Sequence, residues 1–119
     1  MKTRYIAANQ QLLRADRESA VPLDPHIRED LLRLVRELVD HHSVVIISDY
    51  AKGVLTEGVA LEIIRAAREA GARTVVDPKG GDPIRYRGAD LLKPNRRELA
   101  EATGMAVATD SEVVEARAR

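Results

Sequence analysis

Four consecutive β-branched residues, Val44-Val45-Ile46-Ile47, constrain this fold more than any other feature. The run lacks polar alternation, so it does not read as a strand with one wet face. It predicts a strand buried on both faces, as at the centre of a parallel sheet. A parallel partner needs a long crossover, usually a helix. The next such run, Arg73-Thr74-Val75-Val76-Asp77, lies far enough downstream to allow one. Between them, Thr56 to Ala70 places Val59, Ile63, Ala66, Ala67 and Ala70 at helical spacing, with Gly71 at the position after the C-cap. Strand, helix and strand in this order predict a right-handed βαβ unit.

The flanks extend this α/β pattern. Asp24-Pro25 reads as an N-cap and first-turn proline, followed by a helix that ends near His41-His42. These histidines suit a helix C-terminus and receive no catalytic role. Pro78 to Arg87 reads as a loop and Ala89 to Leu92 as a short third strand. Pro94-Asn95 opens a helix over Arg96 to Thr103, stopped by Gly104, and Thr109-x-x-Glu112 caps a last one. Near the N-terminus, Thr3–Ala8 and Gln11–Ala15 predict two polar strands, an edge or a lid. Strand alternation would put Asn9 and Gln11 on one face and Gln10 on the other.

Composition narrows the classes. A chain of 119 residues, 45% apolar, can bury one core. With 19 basic and 19 acidic residues, it lacks the excess that a nucleic-acid or membrane-surface binder needs. It has neither a membrane-length apolar run nor a signal-peptide core. The absence of Cys excludes disulfides and Cys-ligated metals and predicts a cytoplasmic setting. The bias of 15 Arg to 4 Lys carries no function, and the pairs Arg96-Arg97 and Arg85/Arg87 read as solvated faces.

In open α/β sheets, ligands bind beyond the C-terminal ends of the strands. Here those ends carry Ser48-Asp49-Tyr50-Ala51-Lys52-Gly53, Asp77-Pro78-Lys79-Gly80-Gly81 and Lys93-Pro94-Asn95-Arg96-Arg97-Glu98. The opposite ends, at Ser43, Arg73 and Ala89, are bland. The asymmetry points to an anionic, phosphorylated ligand with a divalent cation.

These runs, together with Asn9-Gln-Gln-Leu-Leu-Arg14-x-Asp16 and Arg85-Tyr-Arg-Gly-Ala89, resemble the ribokinase-like (PfkB-type) carbohydrate kinases. Among these they are most similar to the D-glycero-β-D-manno-heptose-7-phosphate kinases. The resemblance implies a partial ribokinase-like, Rossmann-like three-layer α/β fold. Residues 1–17 would form lid strands and residues 24–119 the α/β part of a single partial domain. It also implies ATP-dependent phosphorylation of the anomeric hydroxyl of heptose 7-phosphate, within ADP-heptose and lipopolysaccharide core synthesis. ATP and Mg²⁺ would be the cofactors.

On this resemblance, Asn95, Arg96, Arg97 and Glu98 map to the nucleotide and phosphate region. Lys79 is read as a phosphate contact, and Asp77 and Glu98 as Mg²⁺ ligands, partly through water. Asn9, Gln11, Arg14, Asp49 and Lys52 fall to the sugar phosphate. Each has a structural reading beside it. Asn95-x-x-Glu98 is also a capping box, Asp77-Pro with Gly80-Gly81 is turn chemistry, and Asp49 can cap its own turn. Asn9 to Arg14 can equally be a polar edge.

The chain departs from the family pattern in lacking a Gly-Ala-Gly-Asp run, which supplies the catalytic base. The Gly-Gly sugar-binding region and first strands are also missing, and the last helix is short. The expectation is therefore a middle fragment, inactive alone, marginally stable or self-associating, from a parent that dimerises through its lid strands. The alternatives are another sugar kinase of the family, a remnant without activity whose lid strands pair with a partner chain, and a receiver-like module with Asp49 as phosphoacceptor.

Overall fold

The computed structural model describes residues 2–7, 10–16, 21–56, 58–80 and 82–117, with side chains for 21–56, 58–80 and 82–113. The element order is β1 (Lys2–Ala7), β2 (Gln10–Asp16), α1 (Pro25–Val39), β3 (Val44–Ser48), α2 (Val59–Glu69) and β4 (Arg73–Asp77). A 3-10 turn (Pro83–Tyr86), β5 (Leu91–Leu92), α3 (Arg96–Thr103) and α4 (Asp110–Arg117) follow.

The strands form two sheets. β1 and β2 pair antiparallel, with Arg4 opposite Arg14 and a register shift after Tyr5. β3, β4 and β5 form a parallel sheet in that order, with Ser48 beside Asp77 and Val76 beside Leu92. The βαβ unit expected from the two β-branched runs is present. Its core joins Leu32 of α1, Ile47, Val59, Ile63, Ile64, Val76 and Tyr86. A smaller cluster of Val39, Ala67 and Ala72 closes the other end of the helix pair.

Several expectations are corrected. β4, not β3, is the middle strand. Among the described residues nothing pairs with the outer side of β3, and Ile46 is 71% exposed while Ile47 is buried. The β-branched run therefore behaves as a half-wet edge strand. α2 begins at Val59 rather than Thr56, because Gly58 enters the left-handed region at φ 80° and Thr56 Oγ1 donates to the Gly53 carbonyl. β5 keeps only two residues of the third strand. The segment read as a plain loop, 78–87, contains the 3-10 turn, and Tyr86 there is among the most buried side chains. No helix among the described residues is long and apolar enough to cross a membrane.

Two further bonds continue the ladder past the strands. Asp49 N–H donates to the Asp77 carbonyl at 3.0 Å, and Lys93 N–H to the Val76 carbonyl at 2.8 Å. The three strand ends are thus held side by side.

Candidate functional site

At the end of β4, the Asp77 carboxylate is half-exposed and receives the Lys93 ammonium at 3.4 Å. Two residues on, the Lys79 ammonium stands 4.0 Å from Glu98 Oε1. Glu98 is the third residue of α3 and only 7% exposed. Its Oε2 accepts the Asn95 N–H at 2.9 Å, and Asn95 Oδ1 accepts the Glu98 N–H at 2.9 Å. The capping box read from the sequence is present. It uses one carboxylate oxygen. For the other, Oε1, the Lys79 ammonium is the partner among the described residues. A groove of about 370 Å³, lined by Pro78, Gly80, Tyr86, Pro94, Glu98 and Leu99, adjoins this carboxylate.

Asp49 is different in kind. It is buried, and both oxygens are engaged. Oδ1 accepts the Ala51 N–H at 2.7 Å, an Asx turn that holds Ala51 at φ 54°. Oδ2 accepts the Tyr86 hydroxyl at 2.5 Å and lies 3.3 Å from the Arg85 guanidinium. Burial, followed by the bond to Asp49, pushes the Tyr86 phenol up to about 12. The same hydroxyl accepts the Lys79 N–H at 3.4 Å, and Arg85 also donates to the Leu55 carbonyl at 3.0 Å. Arg85 is thus no solvated face residue, which corrects the sequence reading. Lys52 and Asp49 help line a second groove of about 560 Å³ against Val45, Ile47 and Ile63.

The structure therefore gathers Asp77, Lys79, Asn95 and Glu98 around adjacent strand ends, with Lys93 added. Asp49 and Lys52 lie on the neighbouring loop. The two arginines of α3 turn elsewhere. Arg96 donates to the Ala108 carbonyl and to Asp110, and Arg97 runs along the helix to Glu101. For Gln11 and Arg14 the backbone alone is described, paired with Ile6 and Arg4. Asn9 lies outside the described residues. Lys93 and Tyr86 stand within runs singled out in the sequence but received no role of their own there. A signal for Lys93 was available, since it directly follows β5, while Lys52 and Lys79 lie a few residues past β3 and β4.

Among solved structures, phosphofructokinase-2 of Escherichia coli in its tetrameric inhibited form superimposes with a TM-score of 0.65 at 24% identity. The match covers 97% of this chain and 38% of that one. Arabidopsis thaliana ribokinase, complexed with ribose and ATP, gives a TM-score of 0.57 at 24% identity over 85% of this chain and 30% of that chain. The fold is ribokinase-like.

This ribokinase-like chain also has curated relatives of high identity. It is 52% identical over 116 residues to the bifunctional protein HldE of Paramagnetospirillum magneticum, covering 98% of the chain and 24% of that relative. The HldE protein of Geobacter metallireducens is 45% identical over 118 residues, 99% of the chain and 24% of the relative. The chain thus spans about a quarter of the length of the curated relatives it matches. No protein-family model matches it.

The donor set fits a hydrated Mg²⁺. That ion keeps several waters and takes one or two carboxylates plus phosphate oxygens, not a full protein cage. Asp77 and Glu98 Oε1 are two such hard oxygen donors at adjoining strand ends. Among the described residues no group of three or more His, Cys, Asp or Glu side chains is placed to hold a metal ion.

Proposed function

We propose that this chain is the middle part of an ATP-dependent sugar kinase whose parent phosphorylates the anomeric hydroxyl of D-glycero-D-manno-heptose 7-phosphate in the cytoplasm. The observation that carries the reading is a pair of carboxylate–lysine contacts, Asp77 with Lys93 and Glu98 with Lys79, just beyond the C-terminal ends of parallel strands in a ribokinase-like fold. The relatives' name, HldE, and the ribose and ATP of the Arabidopsis neighbour support it.

In the reaction, the anomeric oxygen forms a bond to the γ-phosphorus of ATP. The bond from that phosphorus to the β–γ bridging oxygen breaks, and ADP leaves. The hydroxyl proton passes to a carboxylate of the parent outside these residues. Bound Mg²⁺ would neutralise charge on the phosphates. Asp77 and Glu98 would hold it, partly through water. Lys79 would contact phosphate, with Asn95 presenting the N-terminus of α3. Arg96 and Arg97 would flank that stretch. The loop of Asp49 and Lys52 would face the sugar, and Asn9, Gln11 and Arg14 would come from a lid that also pairs two copies of the parent. The isolated chain would not turn over.

The test is ADP release by the full-length parent with heptose 7-phosphate, against ribose and fructose 6-phosphate. Activity should favour heptose 7-phosphate and vanish in Asn95→Ala/Glu98→Ala. Full activity without both side chains refutes the assigned roles, and preference for another sugar reassigns the substrate.

A further inference from the structure

Lysine is scarce in this chain, and its placement differs from that of arginine. Three of the four lysines, Lys52, Lys79 and Lys93, follow the C-terminal ends of β3, β4 and β5. Several arginines instead pair along helix surfaces, as Arg33 does with Asp30 and Glu37 and Arg65 with Glu69. Lys79 and Lys93 each face one of the two carboxylates assigned above to the metal, at 4.0 Å and 3.4 Å.

Both ammonium groups are mostly exposed, so solvent screens the attraction, and such pairs contribute at most about 1 kcal/mol. A divalent ion carries twice the charge and bonds directly or through one water, so it displaces an ammonium from a carboxylate. The lysine stem is flexible and its charge compact, which lets it swing to a new anion. In Glu98, Oε2 accepts the Asn95 N–H while Oε1 faces Lys79, so a change of partner at Oε1 does not require the cap bond to break.

We infer that Lys79 and Lys93 are exchange partners. They hold Glu98 and Asp77 while no metal is bound, then turn to phosphate oxygens when Mg²⁺ takes the carboxylates. The inference rests on the phosphoryl-transfer reading and adds to it two successive partners for each lysine. A metal-bound triphosphate still carries negative charge beside two carboxylates, and the released ammonium groups offset it. The lysines therefore oppose Mg²⁺ alone and favour Mg²⁺ with triphosphate.

Opposite signs make the test clean. Backbone amide shifts of the 119-residue chain are followed while adding Mg²⁺ alone, then inorganic triphosphate at saturating Mg²⁺. Lys79→Met and Lys93→Met should each bind Mg²⁺ alone about two- to fivefold tighter, the value of an exposed ion pair. Each should bind triphosphate weaker by about threefold or more. Lys79→Arg and Lys93→Arg keep the charge and should stay near wild type for Mg²⁺ alone. Misfolding weakens both ligands and cannot give this pattern. Met variants with unchanged or weaker Mg²⁺ binding, or with unchanged triphosphate binding, overturn the exchange but leave the metal assignment standing. A wild-type chain with no Mg²⁺-dependent shift at Asp77 and Glu98 overturns the metal assignment, and the exchange with it.

Discussion

The Tyr86 hydroxyl donates to Asp49 Oδ2 at 2.5 Å across 37 residues of sequence. This bond joins the 3-10 turn to the end of β3, and the same oxygen of Tyr86 accepts from Lys79. Tyr86→Phe keeps the ring in the core and removes the donor, leaving a buried carboxylate short of a partner. Such losses cost about 1–3 kcal/mol. Urea unfolding should show that drop with an unchanged slope, and a variant as stable as wild type would mean that Arg85 alone satisfies Asp49.

The same phenol predicts an alkaline limb. Its pKa rises from 10.0 unfolded to about 12 folded, first through burial and then through Asp49. Between these values the folded state holds a proton that the unfolded chain has lost. The stabilisation is complete below pH 10 and is lost as pH rises toward 12, at up to about 1.4 kcal/mol per pH unit. The difference between wild type and Tyr86→Phe should therefore shrink over this window, and a constant difference would refute it.

Asp90 contributes to the acid limb. Its carboxylate accepts the Thr74 N–H, the Arg73 guanidinium and the Thr74 hydroxyl, which lowers its pKa from 3.8 to about 2. A depressed carboxylate stabilises above its unfolded pKa and ceases to as pH falls through the folded one. Asp90→Asn should flatten the loss of stability between pH 4 and pH 2, read as urea midpoints across that range.

Asn95 and Glu98 have a structural role as a cap and a proposed one as a phosphate–metal site, and two variants separate these. Asn95→Ala removes the side-chain acceptor and should cost about 1 kcal/mol. Glu98→Gln keeps an acceptor for the Asn95 N–H but loses the charge. It should melt close to wild type and lose the Mg²⁺-dependent shift. If Glu98→Gln destabilises as much as Asn95→Ala, the carboxylate charge belongs to the fold.

The open edge of β3 carries its own expectation. Residues 43–48 hold no charge, no proline and no bulge, and Ile46 lies exposed at their centre. Natural edges avoid this combination because it templates pairing. Ile46→Lys should reduce concentration-dependent association in sedimentation while leaving helical content intact. Equal association in both proteins would move the contact elsewhere.

Much of this arrangement was legible because it is local. Asp24-Pro25, Asn95-x-x-Glu98 and Thr109-x-x-Glu112 all name their helix starts, since a cap is written within four residues. The βαβ unit was legible from hydrophobic period. The wet face of β3 was not, because the unbroken apolar run Val44 to Ile47 reads as buried on both faces, and only its neighbours in space show otherwise. Tyr86 was hidden for a related reason. Its segment, Pro83-Ile84-Arg85-Tyr86, looks like loop chemistry, and its partner Asp49 is brought near only by the sheet. The pairing of Arg96 with Asp110 likewise depends on where α4 packs, which local sequence does not show.

The bonds from Asp49 N–H to Asp77 and from Lys93 N–H to Val76 have a kinetic meaning. Residues that look like loop positions share their amide protons with the sheet. Their exchange with solvent deuterium should follow the slow clock of β4, not the fast one of a surface turn. Motion at this site is thereby left to side chains swinging on a fixed backbone.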